Sequence, residues 1–249
     1  MQQKEAIRIE NLHKAFRVGE QTLPVLRGLD FSIHCGDFFV ILGPSGCGKS
    51  TLLHSLIGLE EPTEGRISFF GDNLYEGKNE DDRAVMRKQM VGMVYQQPNW
   101  IRSLNVIENV AFPLILLGRE KEDALEKAHE VLGDVGMQNW AYHRPTELSS
   151  GQQQRVALSR ALIHNPEVII ADEPTGNLDY QSGKAVMELL SHINKTKGQM
   201  IVMVTHDLEY LPYAKRILSM FDGKIVRIYE ENEKEEIVNH SKYKRTIFS

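Results

Sequence analysis

The stretch Phe38-Phe39-Val40-Ile41-Leu42-Gly43-Pro44-Ser45-Gly46-Cys47-Gly48-Lys49-Ser50-Thr51 decides how the rest of the chain is read. Its first five residues are a continuous apolar run, the pattern of a strand buried on both faces of a parallel sheet. The remainder fits G-x-x-x-x-G-K-[ST], a glycine-rich phosphate-binding loop. Each element answers a physical need. Glycines let the backbone fold into a concave nest of N–H donors around phosphate. The helix expected from Lys49 to about Gly58 adds a favourable dipole at its N-terminus. Lys49 supplies a cation for the outer phosphates, and Ser50 offers a hydroxyl to Mg²⁺. Gly43, Pro44, Ser45, Gly46, Cys47, Gly48, Lys49, Ser50 and Thr51 together are the candidate phosphate-binding segment. A thiol at a helix N-terminus can be activated towards oxidation, but the plainer reading of Cys47 is a small filler beneath the phosphates.

On the N-terminal side, alternation over Ala6–Phe16 and Leu29–Ile33 predicts two strands, with Arg17–Pro24 as a polar turn between them. Beyond the loop, Arg66–Phe70 reads as a short strand, Asn79–Met90 as a charged helix and Val91–Tyr95 as a strand. From Gln96 to Asn165 strand runs vanish. Helical spacing takes over at Glu120–Leu132, where Ala124, Leu125, Ala128, Val131 and Leu132 share a face. A further helix is expected from Gly151 to His164, ending before Pro166. Val168–Ala171 and Met200–Val204 return to buried-strand type, with a helix near Gly183–Lys195 between them. Leu218–Ile228, broken at Asp222-Gly223, reads as a hairpin. A mainly helical insert therefore interrupts an α/β domain. The stretch from Tyr229, acidic and then basic at Lys242, Lys244 and Arg245, reads as a solvated terminus.

Composition narrows the function classes. The 249 residues are 41% hydrophobic and 25% charged, close to the soluble globular average, which excludes wholesale disorder. With 29 Lys+Arg against 34 Asp+Glu the net charge is −5, a poor balance for a general nucleic-acid binder. Cys35 and Cys47 form neither a metal-ligand pattern nor a disulfide framework. Met1–Glu10 lacks the apolar core of a signal peptide. No run reaches the roughly 20 apolar residues that span a bilayer, so no direct bilayer insertion is expected.

A second chemical centre follows the strand Val168–Ala171, which runs into Asp172 and Glu173. Two carboxylates at a strand end suit one Mg²⁺ ligand, Asp172, and one group to polarise an attacking water, Glu173. Between the loop and this pair lies Leu148-Ser149-Ser150-Gly151-Gln152. With it the chain resembles the nucleotide-binding subunits of ATP-binding-cassette (ABC) transporters, whose signature is LSGGQ at this place. The other family landmarks follow in order. Gln96 resembles the Q-loop glutamine, Asn177-Leu178-Asp179 the D-loop and His206 the switch histidine. Phe16 stands where the family has an aromatic that stacks on adenine. One departure is Ser150, which replaces the first glycine of the signature; its Cβ would crowd the site only if the position needs φ > 0.

The resemblance covers about residues 6–228 and implies the following. The fold is α/β: a P-loop NTPase (RecA-like) core with a parallel sheet, an N-terminal antiparallel β-subdomain and an inserted helical subdomain. Residues 1–95 and 166–228 form the core with its β-subdomain, 96–165 the helical subdomain, and 229–249 a charged tail. ATP and Mg²⁺ are the cofactors. Glu173, His206 and Gln96 are catalytic, and Ser50, Gln96 and Asp172 hold the metal. Phe16, the phosphate loop, Ser149, Ser150, Gly151, Gln152 and Asp179 contact nucleotide, the signature residues and Asp179 from across a dimer. The partners are a second cassette, in a homodimer, and transmembrane permease subunits at the cytoplasmic face of the membrane. Trp100, with the apolar stretch Val106–Leu117, is either core of the insert or an anchor for that partner. Ala171–Asp179, and Gly19-Glu20 with Val25–Gly28, resemble the branch serving macrolide efflux, lipoprotein release, antimicrobial-peptide resistance and cell division. An ATPase that signals through a membrane partner without moving solute is the alternative. A soluble ABC ATPase of DNA repair or translation fits less well, because neither a coiled-coil insert nor a second cassette is present.

Overall fold

The computed structural model describes residues 4–237. In chain order they form β1 (Glu5–Val18), β2 (Gln21–His34), β3 (Phe38–Leu42), α1 (Lys49–Leu56), β4 (Glu64–Phe69), β5 (Asp72–Asn73), α2 (Glu80–Met90) and β6 (Val91–Tyr95). There follow α3 (Val106–Leu116), α4 (Lys121–Asp134), α5 (Ser150–Leu162), β7 (Val168–Asp172), α6 (Tyr180–Lys197), β8 (Met200–Thr205), β9 (Arg216–Phe221) and β10 (Lys224–Tyr229). The chain divides into two compact units, one of residues up to 84 and from 194 onward, the other of 85–193.

In the first unit, β2-β1-β4-β5 form an antiparallel sheet. Ile7, Ile9, Leu12, Leu29 and Ile33 are fully buried beneath it. The expected polar turn over Arg17–Pro24 is corrected: only Gly19 and Glu20 lie outside the strands, and the ladder pairs Val18 with Gln21 and Ala15 with Pro24. Proline survives there because β2 is an edge strand, where its missing N–H breaks no ladder bond. A second layer orders β10-β9-β3-β8, with β3 parallel to both β8 and β9, as its all-apolar run requires.

An ion cluster around the buried pair Arg216 and Asp37 fastens this layer. Arg216, 8% exposed, donates from its Nε and one terminal nitrogen to Glu230 at 2.8 and 3.0 Å. Its other terminal nitrogen donates to Asp37 at 3.2 Å and to the Ser32 carbonyl at 2.9 Å. Burial opposes the guanidinium charge, but Glu230 and Asp37 outweigh it and hold the pKa above the usual arginine value. The described residues after Tyr229 are solvated as expected, none of them buried, but they are also tied down. Glu230 is tied to Arg216, Arg227 pairs with Glu233 and Glu236, and Lys234 donates to the Ala214 carbonyl. Lys242, Lys244 and Arg245 lie outside the described residues. Arg216→Met strands Asp37, which is 1% exposed, without its cation. The expected loss is about 3–5 kcal/mol, read as a lower urea midpoint at unchanged slope.

In the second unit β6 and β7 run parallel in register, and α3, α4 and α5 pack around a core that includes Val106, Val110, Ala111, Ala124, Ala128, Leu132 and Val156. The apolar face expected for α4 is the buried one. The helix α3 contains Pro113, which removes one backbone donor. The N-terminal half of α3 compensates. Asn105 and Glu108 form a reciprocal capping box, and buried Asn109 bonds Ile101 on both its N–H and carbonyl while donating to the Leu104 and Asn105 carbonyls.

Candidate functional site

In the first unit, the register that pairs Leu42 with Thr205 makes Gly43 and His206 leave adjacent parallel strand ends. The loop from Gly43 then reaches α1 through Gly48 at φ 102, where an added Cβ would lie 3.0 Å from the Val25 carbonyl. Only glycine meets both demands. Lys49 is 6% exposed and donates to the carbonyls of Gly43 and Pro44 at 2.8 and 3.0 Å. Cys47 is buried, as a filler would be, and its carbonyl accepts from Gly223 N at 3.0 Å in the β9–β10 turn. Arg27 pairs with Asp222 in the same turn at 2.8 Å. The hairpin and β2 thus brace the loop from behind. Ser50 is exposed on the first turn of α1, and His206 is exposed at the strand end. Phe16 is half-buried on β1 opposite Leu23, with the Lys14 ammonium 4.9 Å from its ring centre.

In the second unit the pairing of Tyr95 with Asp172 does the same for Gln96 and Glu173. Gln96 Nε2 donates to Asn177 Oδ1 at 3.2 Å, and Asn177 Nδ2 donates to the Gln96 carbonyl at 3.4 Å. Glu173 has φ 46, left-handed backbone that a non-glycine residue adopts at a cost. A turn fixes it, with Gly176 N donating to the Glu173 carbonyl at 3.0 Å. Asp179 caps α6: it accepts from Ser182 Oγ at 2.6 Å and Ser182 N at 3.0 Å, bonds that hold its carboxyl below the usual range.

The signature is first a helix start. Ser149 Oγ accepts from Gln152 N and Gln152 Oε1 accepts from Ser149 N, a reciprocal capping box that the S-x-x-Q spacing encodes. Gly151 abuts the start of α6, where an added Cβ would fall 2.9 Å from Ser182 Oγ. Ser150 is the exposed first residue of α5 and is not among the residues with positive φ. Nothing in the backbone therefore demands glycine there. Ser150→Gly is expected to leave ATP turnover within about three-fold of wild type, a change below about 1 kcal/mol. A steady-state assay at high chain concentration checks this, and a hundred-fold drop would assign the serine hydroxyl a contact of its own.

Trp100 packs against the helical core. Its Nε1 donates to Gln153 Oε1 at 2.8 Å, and the Arg160 guanidinium lies 4.6 Å from its ring centre. Arg160 also donates to the carbonyls of Pro98 and Asn99. Sequence reasoning missed this fastening of the Gln96–Trp100 segment to α5, and it missed Gln154. The sequence signal for both was the run of polar residues Gln152-Gln153-Gln154-Arg155 on a helix otherwise buried.

These sites define a nucleotide-binding cassette, and comparison with known proteins agrees. Residues 26–176 match the family model described as "ABC transporter". An ABC transporter ATP-binding protein of Methanocaldococcus jannaschii, MJ1508, whose own role is uncharacterised, is 43% identical over 222 residues, covering 89% of this chain and 98% of the relative. The lipoprotein-releasing system ATP-binding protein LolD of Legionella pneumophila is 41% identical, covering 87% and 95%. Among solved structures, the ATP-binding cassette MJ0796, in a dimeric post-hydrolysis state bound to ADP and phosphate, superposes with a TM-score of 0.83 at 36% identity, covering 90% and 98%. The chain belongs to the ABC transporter ATP-binding family. It binds ATP and is an ATPase of ABC type, with the fold that the resemblance implied.

Proposed function

We propose that this chain is the ATP-hydrolysing subunit that drives a transmembrane partner at the cytoplasmic face of the cell membrane, in the branch that includes lipoprotein release. The observation that carries the reading is the pairing of strand ends. One parallel pair delivers the phosphate loop beside His206, and the other delivers Gln96 beside Asp172 and Glu173. The identity to LolD across 95% of that protein supports the branch. The dimeric state of MJ0796 supports a homodimer. Among the described residues no helix is long and apolar enough to cross a membrane, so the partner supplies the spans in this reading.

The residues take these roles. Lys49 and the loop N–H groups neutralise and orient the phosphates, and Phe16 stacks on the adenine. Ser149, Ser150, Gly151, Gln152 and Asp179 of the second copy complete the γ-phosphate's surroundings. Glu173 accepts the proton of the attacking water and His206 positions the γ-phosphate, so that hydrolysis is mostly orientation and charge neutralisation. For Mg²⁺ the donor chemistry fits: Ser50 in the first unit, and Asp172 and the Gln96 side-chain oxygen in the second, each would offer a hard oxygen ligand of the kind this ion takes. Gln96 donates its side-chain nitrogen to Asn177, so the oxygen is the atom it would offer to a cation. When bound, the ion neutralises phosphate charge. In this reading the partner meets the exposed end of α3 at Leu116 and Leu117, because Val106, Val110 and Ala111 are core and Trp100 packs against them.

The test is purification of the tagged chain from detergent-solubilised membranes. A polytopic membrane subunit should co-purify, and the complex should lose transport or extraction of its cargo with Glu173→Gln. Recovery of the chain without any membrane subunit would overturn the reading.

A further inference from the structure

Gln154 lies on the second turn of α5 and is 2% exposed. Its Nε2 donates to the Tyr95 carbonyl at 2.8 Å and to the Pro174 carbonyl at 2.6 Å. Both partners are carbonyl oxygens, which only accept, so chemistry fixes the orientation of the amide. Tyr95 immediately precedes Gln96, and Pro174 immediately follows Glu173. One side chain on the signature helix therefore grips the main chain beside both groups that face the reaction from this unit.

The grip has a cost. Gln154 Oε1 is buried with no hydrogen-bond partner among the protein's own atoms, and a buried acceptor without a protein partner is unfavourable. Methionine has nearly the same volume and avoids that cost. A residue present only to fill the space would be apolar, so the amide is retained for the two bonds it donates. Those bonds matter because Glu173 sits in left-handed backbone. Such a conformation persists only where the surroundings over-determine it, and the Pro174 carbonyl is the next fixed point along the chain.

We propose that Gln154 is a positioning residue for hydrolysis: by holding the Tyr95 and Pro174 carbonyls together it sets Gln96 and Glu173 in register and couples both to the start of α5. When the N-terminus of α5 shifts, both groups shift with it. This inference rests on the reading of Gln96 and Glu173 as the hydrolytic pair.

The experiment uses the full-length chain with ATP and Mg²⁺, comparing kcat, KM and melting temperature. Gln154→Met should lower kcat about ten-fold or more, because small displacements of a reacting group are expensive. KM for ATP should stay within about two-fold, since the phosphate loop is untouched. A merely structural role would lower the melting temperature and leave kcat of the folded fraction alone. Combining Gln154→Met with Gln96→Ala should be non-additive: in the Gln96→Ala background the added loss should fall well below ten-fold. Wild-type kcat, or fully multiplicative effects, overturns the inference. If Gln154→Met does not fold, Gln154→Asn keeps an amide one methylene short of both carbonyls. It should lose kcat several-fold at unchanged KM, and wild-type kcat in that variant is equally fatal. Glu173→Gln separates the two levels. If it hydrolyses ATP normally, the underlying reading fails. If it is inactive while Gln154→Met is normal, only the positioning role fails.

Discussion

Glu173→Gln is expected to keep ATP binding and to lower kcat by roughly 10²–10⁴-fold, the range that a positioned general base contributes. The substitution preserves shape and length but removes the carboxylate that we propose takes the proton of the attacking water. The backbone gives a reason to expect a clean result. Glu173 is locked at φ 46 by the turn to Gly176 and by the anchored Pro174 carbonyl, and glutamine adopts that conformation no less readily than glutamate. Melting temperature should therefore stay near wild type while turnover collapses. With hydrolysis blocked, ATP and Mg²⁺ should trap a dimer, visible as a doubled mass in light scattering. A variant that stays monomeric and hydrolyses at the wild-type rate would show that another group activates the water.

Most of the cassette was legible in the sequence because its decisive parts are local. The loop Gly43–Thr51 needs φ values and N–H groups that only its own residues supply. The capping box Ser149–Gln152 and the apolar strands β3, β7 and β8 are likewise written in consecutive residues. Legibility failed where distant residues decide. Pro24 reads as a turn former, and only its place on an edge strand makes it strand. Pro113, within an apolar run, hides α3, whose capping by Asn105 and fastening by Asn109 draw on residues up to eight positions away. Glu230 reads as one of several solvated acids, and nothing local shows that this one pairs with Arg216. Gln154 belongs to a run of three glutamines of which one caps, one bonds Trp100 and one is buried on carbonyls. Nothing in the spacing of that run tells which is which, since the partners come from β6 and from the turn after β7.

Lys49→Ala is expected to weaken ATP binding about 10- to 150-fold with little effect on folding. The ammonium is almost enclosed by its own loop, bonded to the Gly43 and Pro44 carbonyls. Those two contacts hold it against the loop and keep its charge from the solvent, where screening would weaken it. A hydrogen bond to a charged group contributes about 1.5–3 kcal/mol, and each 1.4 kcal/mol is about ten-fold in Kd. Alanine removes the cation and leaves the polyphosphate to the neutral N–H groups alone. Binding is therefore reduced rather than abolished, because the nest formed through Gly48 and the start of α1 persists. Lys49→Arg separates charge from fit. Its planar guanidinium carries the charge, but it cannot reproduce a compact ammonium held between two carbonyls of one loop. It should recover only part of the lost affinity. Titration with a fluorescent ATP analogue in the presence of Mg²⁺ reads both variants, and unchanged binding in Lys49→Ala would remove the loop from the nucleotide site.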